Sequence, residues 1–225
     1  MNVFYLDKDP VVCAEMHNDK HVVKMLVEYA QLMSTAHRII DGEHWEGRTT
    51  NGRRIARFFH PDPAMQHTLY KATHMNHPSA VWLRESAQNY TWLYDMWTAL
   101  HHEFEHRYGK SHLSFTKLEY YLISPPAALS NVAGFTDPPP AMGQFPNCIV
   151  PGDSIKSYRN YYQEAKKGFA VWTKNDVTGD SIQSKKSSKN FRDNYENIWK
   201  KPDNSLVTVQ EDSDTDNETY RRGYD

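Results

Sequence analysis

The sequence predicts an all-α protein: a compact helical domain built on two long helices, with a proline-rich loop and an acidic C-terminal tail expected to be disordered. Three observations carry that expectation. Two stretches, 10–40 and 79–108, keep apolar residues at helical spacing over many turns. No run alternates apolar and polar residues as a half-buried strand would. Six Trp, fourteen Tyr and nine Phe in 225 residues supply the bulk for one hydrophobic core. The domain is expected to span 1–174, with 175–225 as a polar tail.

Taken in order, residues 2–6 (NVFYL) are too short for a helix and form an extended lead-in. Asp9 then serves as N-cap with Pro10 at the first helical position, where its missing N–H costs nothing. The first long helix runs to about Ile40 and stops at Asp41-Gly42. Residues 43–63 carry Gly and Asn breakers and form a loop. A short helix from about Ala64 to Thr73 ends before Asn76-His77-Pro78. The second long helix, from Ser79 to about Tyr108, closes at Gly109 and brings Trp82, Tyr90, Trp92, Leu93, Trp97 and Leu100 to a helix-on-helix core. A third helix spans about Phe115 to Leu122. Seven prolines between Ser124 and Gly152 exclude regular structure and make that span a surface wrap or a lid. Asp153 caps a last helix, Ser154 to about Lys174. In the polar tail, Phe191, Tyr195, Ile198 and Trp199 form a short apolar element able to dock.

Charge and cysteine content narrow the function classes. Residues 202–225 hold seven acids against two arginines (net −5), which leaves 24 basic and 21 acidic residues (net +3) in 1–201. The domain is therefore mildly basic, which permits a nucleic-acid partner. Two cysteines and no cationic segment followed by an apolar run lead us to expect reduced thiols and a cytoplasmic protein. No stretch reaches the roughly 18 uninterrupted apolar residues of a membrane span. Nothing in the sequence calls for a cofactor, a metal or an oligomer, and the chain is read as a monomer.

The chemistry concentrates on the first long helix. Steps of three and four from His17 reach His21, Lys24, Glu28, Gln31 and Thr35, a single polar stripe on an otherwise apolar helix. Two readings fit: a solvated or internally satisfied polar face, or the floor of an active site where carboxylate, amine and imidazoles converge. In the following loop, Arg48, Arg53, Arg54 and Arg57 lie beside Trp45, Phe58 and Phe59. They read either as a solvated loop or as a grip on phosphates with a stacking surface. His102-Glu103-Phe104-Glu105-His106 matches the two-histidine zinc-protease pattern, but no third ligand follows at the required spacing with its glycine. Cys13 paired with a distant His is a generic thiol nucleophile at best.

Several of these motifs together resemble the pyrimidine-dimer DNA glycosylases of the phage endonuclease V type. Asp19-x-His21, followed by Glu28 seven residues after the histidine, is similar to that family's Asp-x-His and catalytic glutamate. Glu28-x-x-Gln31 and Asn76-His77-Pro78 are similar to features of the bacterial relatives. The segment Tyr158-Arg159-Asn160-Tyr161-Tyr162 resembles the family's aromatic tail, which lies against DNA. The order of these motifs, with Ser34-Thr-Ala-His-Arg38 and Arg107-Tyr-Gly-Lys-x-His112, also resembles small phage-encoded proteins, and for such a protein the host cytoplasm is the expected place. The likeness covers about residues 1–172.

The resemblance implies a bifunctional glycosylase and AP lyase acting on double-stranded DNA that is damaged or modified. An amine attacks C1′, the base leaves, an imine forms, and a carboxylate stabilises the cationic sugar and assists β-elimination. Glu28 would be that carboxylate, His21 an orienting or phosphate-contacting group, and Lys24 a cation that keeps Glu28 ionised. His77, Arg48, Arg53, Arg54, Arg57 and Arg159 would contact the DNA, with Tyr158, Tyr161 and Tyr162 filling the deformed duplex. The chain departs from the family at its start. The family's nucleophile is the α-amine of a small residue exposed by Met removal, whereas Met1 here precedes Asn2, too large for efficient trimming. The nucleophile is then the Met1 α-amine or Lys24. A non-catalytic nucleic-acid-binding or phage–host interaction protein is the alternative, keeping the arginines and tyrosines without an amine beside Glu28.

Overall fold

The computed structural model describes residues 1–130 and 132–173. Expectations for the tail, including the docking element at Phe191, Tyr195, Ile198 and Trp199, lie outside the described residues. The chain forms α1 (Pro10–Glu15), α2 (Asp19–Ile40), β1 (Glu43–Arg48), β2 (Arg54–Phe59), α3 (Pro63–Thr68), α4 (Pro78–Leu83), α5 (Ala87–Tyr108), α6 (Leu113–Leu122) and α7 (Ser154–Tyr161). A 3₁₀ turn (Pro146–Cys148) and a π-helical turn (Tyr162–Lys166) complete it. The described residues are mostly helical, as expected, and add one small two-stranded sheet that was not.

Both long helices are divided where one continuous helix is expected. Between α1 and α2 the break at 16–18 is held from both sides. The Asn18 side chain caps α2 by accepting the His21 amide (3.0 Å). Carbonyls freed by the break are taken by distant donors: Arg107 bonds the Glu15 and His17 oxygens (3.1 and 3.0 Å), and Trp172 Nε1 bonds that of Met16 (3.1 Å). Ser86 caps α5 in the same way by accepting the Gln88 amide (3.1 Å), separating α4 from α5. Gly109 ends α5 in the left-handed region, as expected (φ 66°).

The loop expected at 43–63 contains an antiparallel hairpin, with Trp45 opposite Arg57 and Arg48 opposite Arg54. Its strands are mostly exposed or half-exposed, so neither face was forced into the alternation that would announce it. Entry to β1 requires Gly42. A Cβ there would sit 2.3 Å from the Arg38 carbonyl oxygen and 3.0 Å from that of Phe59.

α2 and α5 form the centre of the core, and fully buried Trp97 on α5 donates its indole N–H to the Leu26 carbonyl of α2 (2.8 Å). The lead-in is buried beside them at Val3, Phe4, Tyr5 and Leu6. No sheet satisfies its backbone; side chains do. Ser79 Oγ accepts the Val3 amide (3.4 Å), Tyr29 Oη that of Phe4 (3.2 Å), and Arg159 Nε donates to the Leu6 carbonyl (2.8 Å). Tyr29 Oη in turn bonds His17 Nε2 (2.9 Å), whose Nδ1 bonds the Cys13 carbonyl (2.8 Å).

Burial pushes His17 and His112 down to about 4, and His21 well below its ordinary value. A histidine depressed in the native state takes up its proton in the unfolded chain first. Stability therefore falls as pH drops from about 6.5 toward 4. For completely buried His17 the expected loss is on the order of 3 kcal/mol across that window. Urea unfolding at pH 7 and pH 4.5 should show the drop, and His17→Gln should lessen it while the other buried histidines keep the rest. An equal drop in both proteins would assign the proton uptake elsewhere.

Candidate active site

α2 delivers His21, Lys24 and Glu28 to one wall of an open cleft of about 530 Å³. That volume lies in the range of small-molecule sites. The lead-in supplies Met1, Asn2 and Phe4, the proline-rich span supplies 141–145, and the C-terminal turn supplies Tyr161 and Lys166. Four separate stretches of sequence thus meet at the polar stripe. The Met1 ammonium lies 3.6 Å from Glu28 Oε2, and Lys24 Nζ lies 3.2 Å from Glu28 Oε1. The two amines differ in setting: the Met1 side chain is 5 % exposed and that of Lys24 is 62 % exposed. Glu28 is itself largely enclosed at 17 %.

His21 is fixed rather than free. Its Nδ1 bonds Tyr162 Oη (2.5 Å), and its ring stacks on Phe4 (centroids 4.3 Å apart). Burial, with the positive fields of Lys166 and Lys24 beside it, keeps the imidazole neutral at physiological pH. His77 caps α4 through its side chain and lies close enough to the Met1 ammonium and Glu28 to feel both charges.

The other residues expected at the site divide. Tyr161 lines the cleft, parallel to Phe4 at 6.3 Å and covered by Lys166 Nζ at 4.6 Å from its ring centre. Tyr158 and Tyr162 have no exposed surface. This corrects the expectation that they fill a duplex: Tyr158 Oη donates to the Pro139 carbonyl (2.9 Å), and Tyr162 positions His21. Aromatic residues at helical spacing fill the core first. Arg159 clamps the lead-in, reaching the Leu6 carbonyl and Asp7 (3.1 Å). Arg48, Arg53, Arg54 and Arg57 belong to the hairpin and none lines the cleft. Twelve residues of α2 separate Glu28 from its end at Ile40, roughly 18 Å of helix.

Lys166 and Phe145 were missed by sequence reasoning. Phe145 sits 5.2 Å from the Tyr161 ring, and the proline-rich span that carries it is a wall of the cleft. A faint signal existed in the Pro-Pro-Pro-Ala-Met-Gly run at 138–143, which holds chain close to a neighbour without regular structure. Two other motifs are absorbed by the fold. Glu103 of the two-histidine pattern is bound to Arg107 (Nε at 2.7 Å), so it is not available as a base. Cys13 is buried, donates to the Phe4 carbonyl (3.2 Å), and is raised by burial to about 12, which keeps it a thiol.

No protein family, curated protein or solved structure matches the chain. No helix among the described residues is long and apolar enough to cross a membrane.

Proposed function

We propose that the protein is a DNA glycosylase with associated AP lyase activity, acting on damaged or modified double-stranded DNA through an imine on the Met1 α-amine. The observation that carries this reading is the Met1 nitrogen 3.6 Å from Glu28 in a cleft that also holds Lys24 and Lys166. Lys24 is mostly exposed, whereas the Met1 nitrogen stands on the enclosed lead-in. Its enclosure beside a carboxylate adds orientation.

The steps balance without a cofactor. The amine lone pair bonds to C1′ as the base leaves with the glycosidic electron pair and takes up a proton. The attached nitrogen loses one proton, the C1′–O4′ bond breaks with O4′ taking up a proton, and the protonated imine forms. A proton is then removed from C2′, the C3′–O bond breaks, and the strand is nicked. Glu28 stabilises the cationic sugar and accepts the proton. Lys24 and Lys166 suit the flanking phosphates, while Tyr161 and Phe145 suit an unstacked base. The hairpin arginines suit phosphates further along the duplex.

Borohydride reduction with abasic duplex DNA, followed by intact mass and peptide mapping, tests the proposal. The expected product is one covalent adduct on the N-terminal peptide, retained in Lys24→Arg. An adduct on Lys24 would move the nucleophile. No adduct, with DNA binding intact, would leave a non-catalytic binding protein.

A further inference from the structure

At the opposite end of α2, three side chains converge that the proposed chemistry does not use. His37 and Asp41 stand one turn apart on the last part of the helix, and His60 follows β2 immediately. One donor atom from each lies within 4.8 Å of the others. His37 Nδ1 is 3.7 Å from Asp41 Oδ2, beyond hydrogen-bond reach. His37 Nδ1 and His60 Nε2 are both buried without a hydrogen-bond partner, in residues only 3 % and 4 % exposed. Two unpaired imidazole nitrogens beside a carboxylate, one a lone pair on His37 and the other an N–H on His60, are a costly arrangement to bury unless something between them engages both rings and the charge.

The surrounding bonds fix what each group offers. The Tyr90 hydroxyl donates its one proton to the Leu122 carbonyl (3.0 Å), so it accepts from His37 Nε2–H (2.9 Å). His37 Nδ1 is therefore the bare nitrogen, and it faces Asp41. The Asp41 carboxylate is held by the amides of Ala127 (Oδ2, 2.9 Å) and Ala128 (Oδ1, 3.1 Å), which leaves lone pairs on both oxygens. Orientation of an imidazole and a carboxylate by outer hydrogen bonds is how proteins prepare metal ligands.

We propose that His37, Asp41 and His60 bind a divalent transition-metal ion of the zinc type, and that the ion fastens the root of the β1–β2 hairpin to α2. Two imidazoles and one carboxylate match the ligand set of such ions and leave a position for water. Bonds of about 2.0–2.2 Å at the tetrahedral angle set donors about 3.3–3.6 Å apart, so a pair at the 4.8 Å limit must close by about an ångström through side-chain rotation. His60 Nδ1 accepts the Asp62 amide in the metal-free protein (3.1 Å). Coordination through Nε2 moves the ring proton to Nδ1 and turns that amide, on an exposed residue, to water. The ion would join the end of α2 to the exit of β2, and through Asp41 to the Ala127 and Ala128 amides.

The test uses the full chain stripped with chelator. Titration with Zn²⁺ by calorimetry, and with Co²⁺ by visible absorption, should each saturate at one ion per chain. The Co²⁺ bands should have the intensity of a four- or five-coordinate site. Asp41→Asn and His60→Gln should weaken binding at least about 100-fold, the upper end for loss of an outer-sphere partner alone. His102→Ala with His106→Ala should leave it unchanged. Hydrogen exchange should slow at 43–59 on Zn²⁺ addition. The absence of saturable binding in the unaltered protein would overturn the proposal, as would its survival in Asp41→Asn or its loss in the His102/His106 variant. If His60→Gln does not fold, the Co²⁺ spectrum of the unaltered chain and the Asp41→Asn titration decide.

Discussion

Glu28→Gln is expected to lower nicking of abasic DNA by about 10²–10⁴-fold, the usual contribution of a positioned acid–base group. DNA affinity should stay within about twofold. Glutamine keeps the size of the side chain and its hydrogen-bonding reach but carries no charge for the cationic sugar and accepts no proton. The residue lies on a helix whose position is set by buried Met25, Leu26 and Tyr29, not by Glu28. Its loss therefore touches the chemistry before the fold. Nicking and equilibrium binding measured on the same duplex separate the outcomes. A parallel loss of both would make Glu28 a structural residue. Unchanged nicking would remove the carboxylate from the mechanism.

The second large effect is expected at Arg107. Its guanidinium, with a fully enclosed side chain, bonds Asp19 Oδ1 (2.8 Å), Glu103 Oε1 and the carbonyls of Glu15 and His17. Burial opposes its charge most strongly, yet Glu103 and Asp19 together outweigh that and hold it protonated. Arg107→Met fills much of the volume but leaves two carboxylates in a dry place and uncaps α1. Stability should fall by about 3–5 kcal/mol, the scale for breaking a buried ion pair from one side. Urea unfolding of the full chain measures it. Adding Glu103→Gln should recover part of the loss, because one stranded charge is then removed. A loss below about 1 kcal/mol would show that water reaches the cluster.

The long helices and the stripe were legible because α2 is buried on most sides and its period is unbroken over six turns. His21, Lys24 and Glu28 share a face by helix geometry alone, so their meeting needs no tertiary knowledge. The breaks at 16–18 and 84–86 were not legible as breaks, although Asn18 and Ser86 are good caps. The first break is held by Arg107 and Trp172, 92 and 156 residues away from the carbonyls that they bond. The hairpin escaped notice because solvent covers much of it and burial imposes no pattern. Tyr158 and Tyr162 were misplaced for the opposite reason: a run of tyrosines looks like a surface for stacking until the helix phase turns two of them inward. The approach of Met1 to Glu28 depends on the side chains that hold the lead-in, which no local pattern encodes.

The lead-in also carries a consequence for how the molecule is made. Residues 2–7 are synthesised well before one of their anchors, because Arg159 is 152 residues behind Asp7. At about 5–20 residues per second, roughly 8–30 s pass before that anchor has been synthesised. Through that interval the segment stays open to any enzyme that acylates or trims nascent chains. An acylated amine has no lone pair to give. On the proposed mechanism, a race between chain growth and modification would therefore decide how many molecules keep a reactive amine, before the cleft exists.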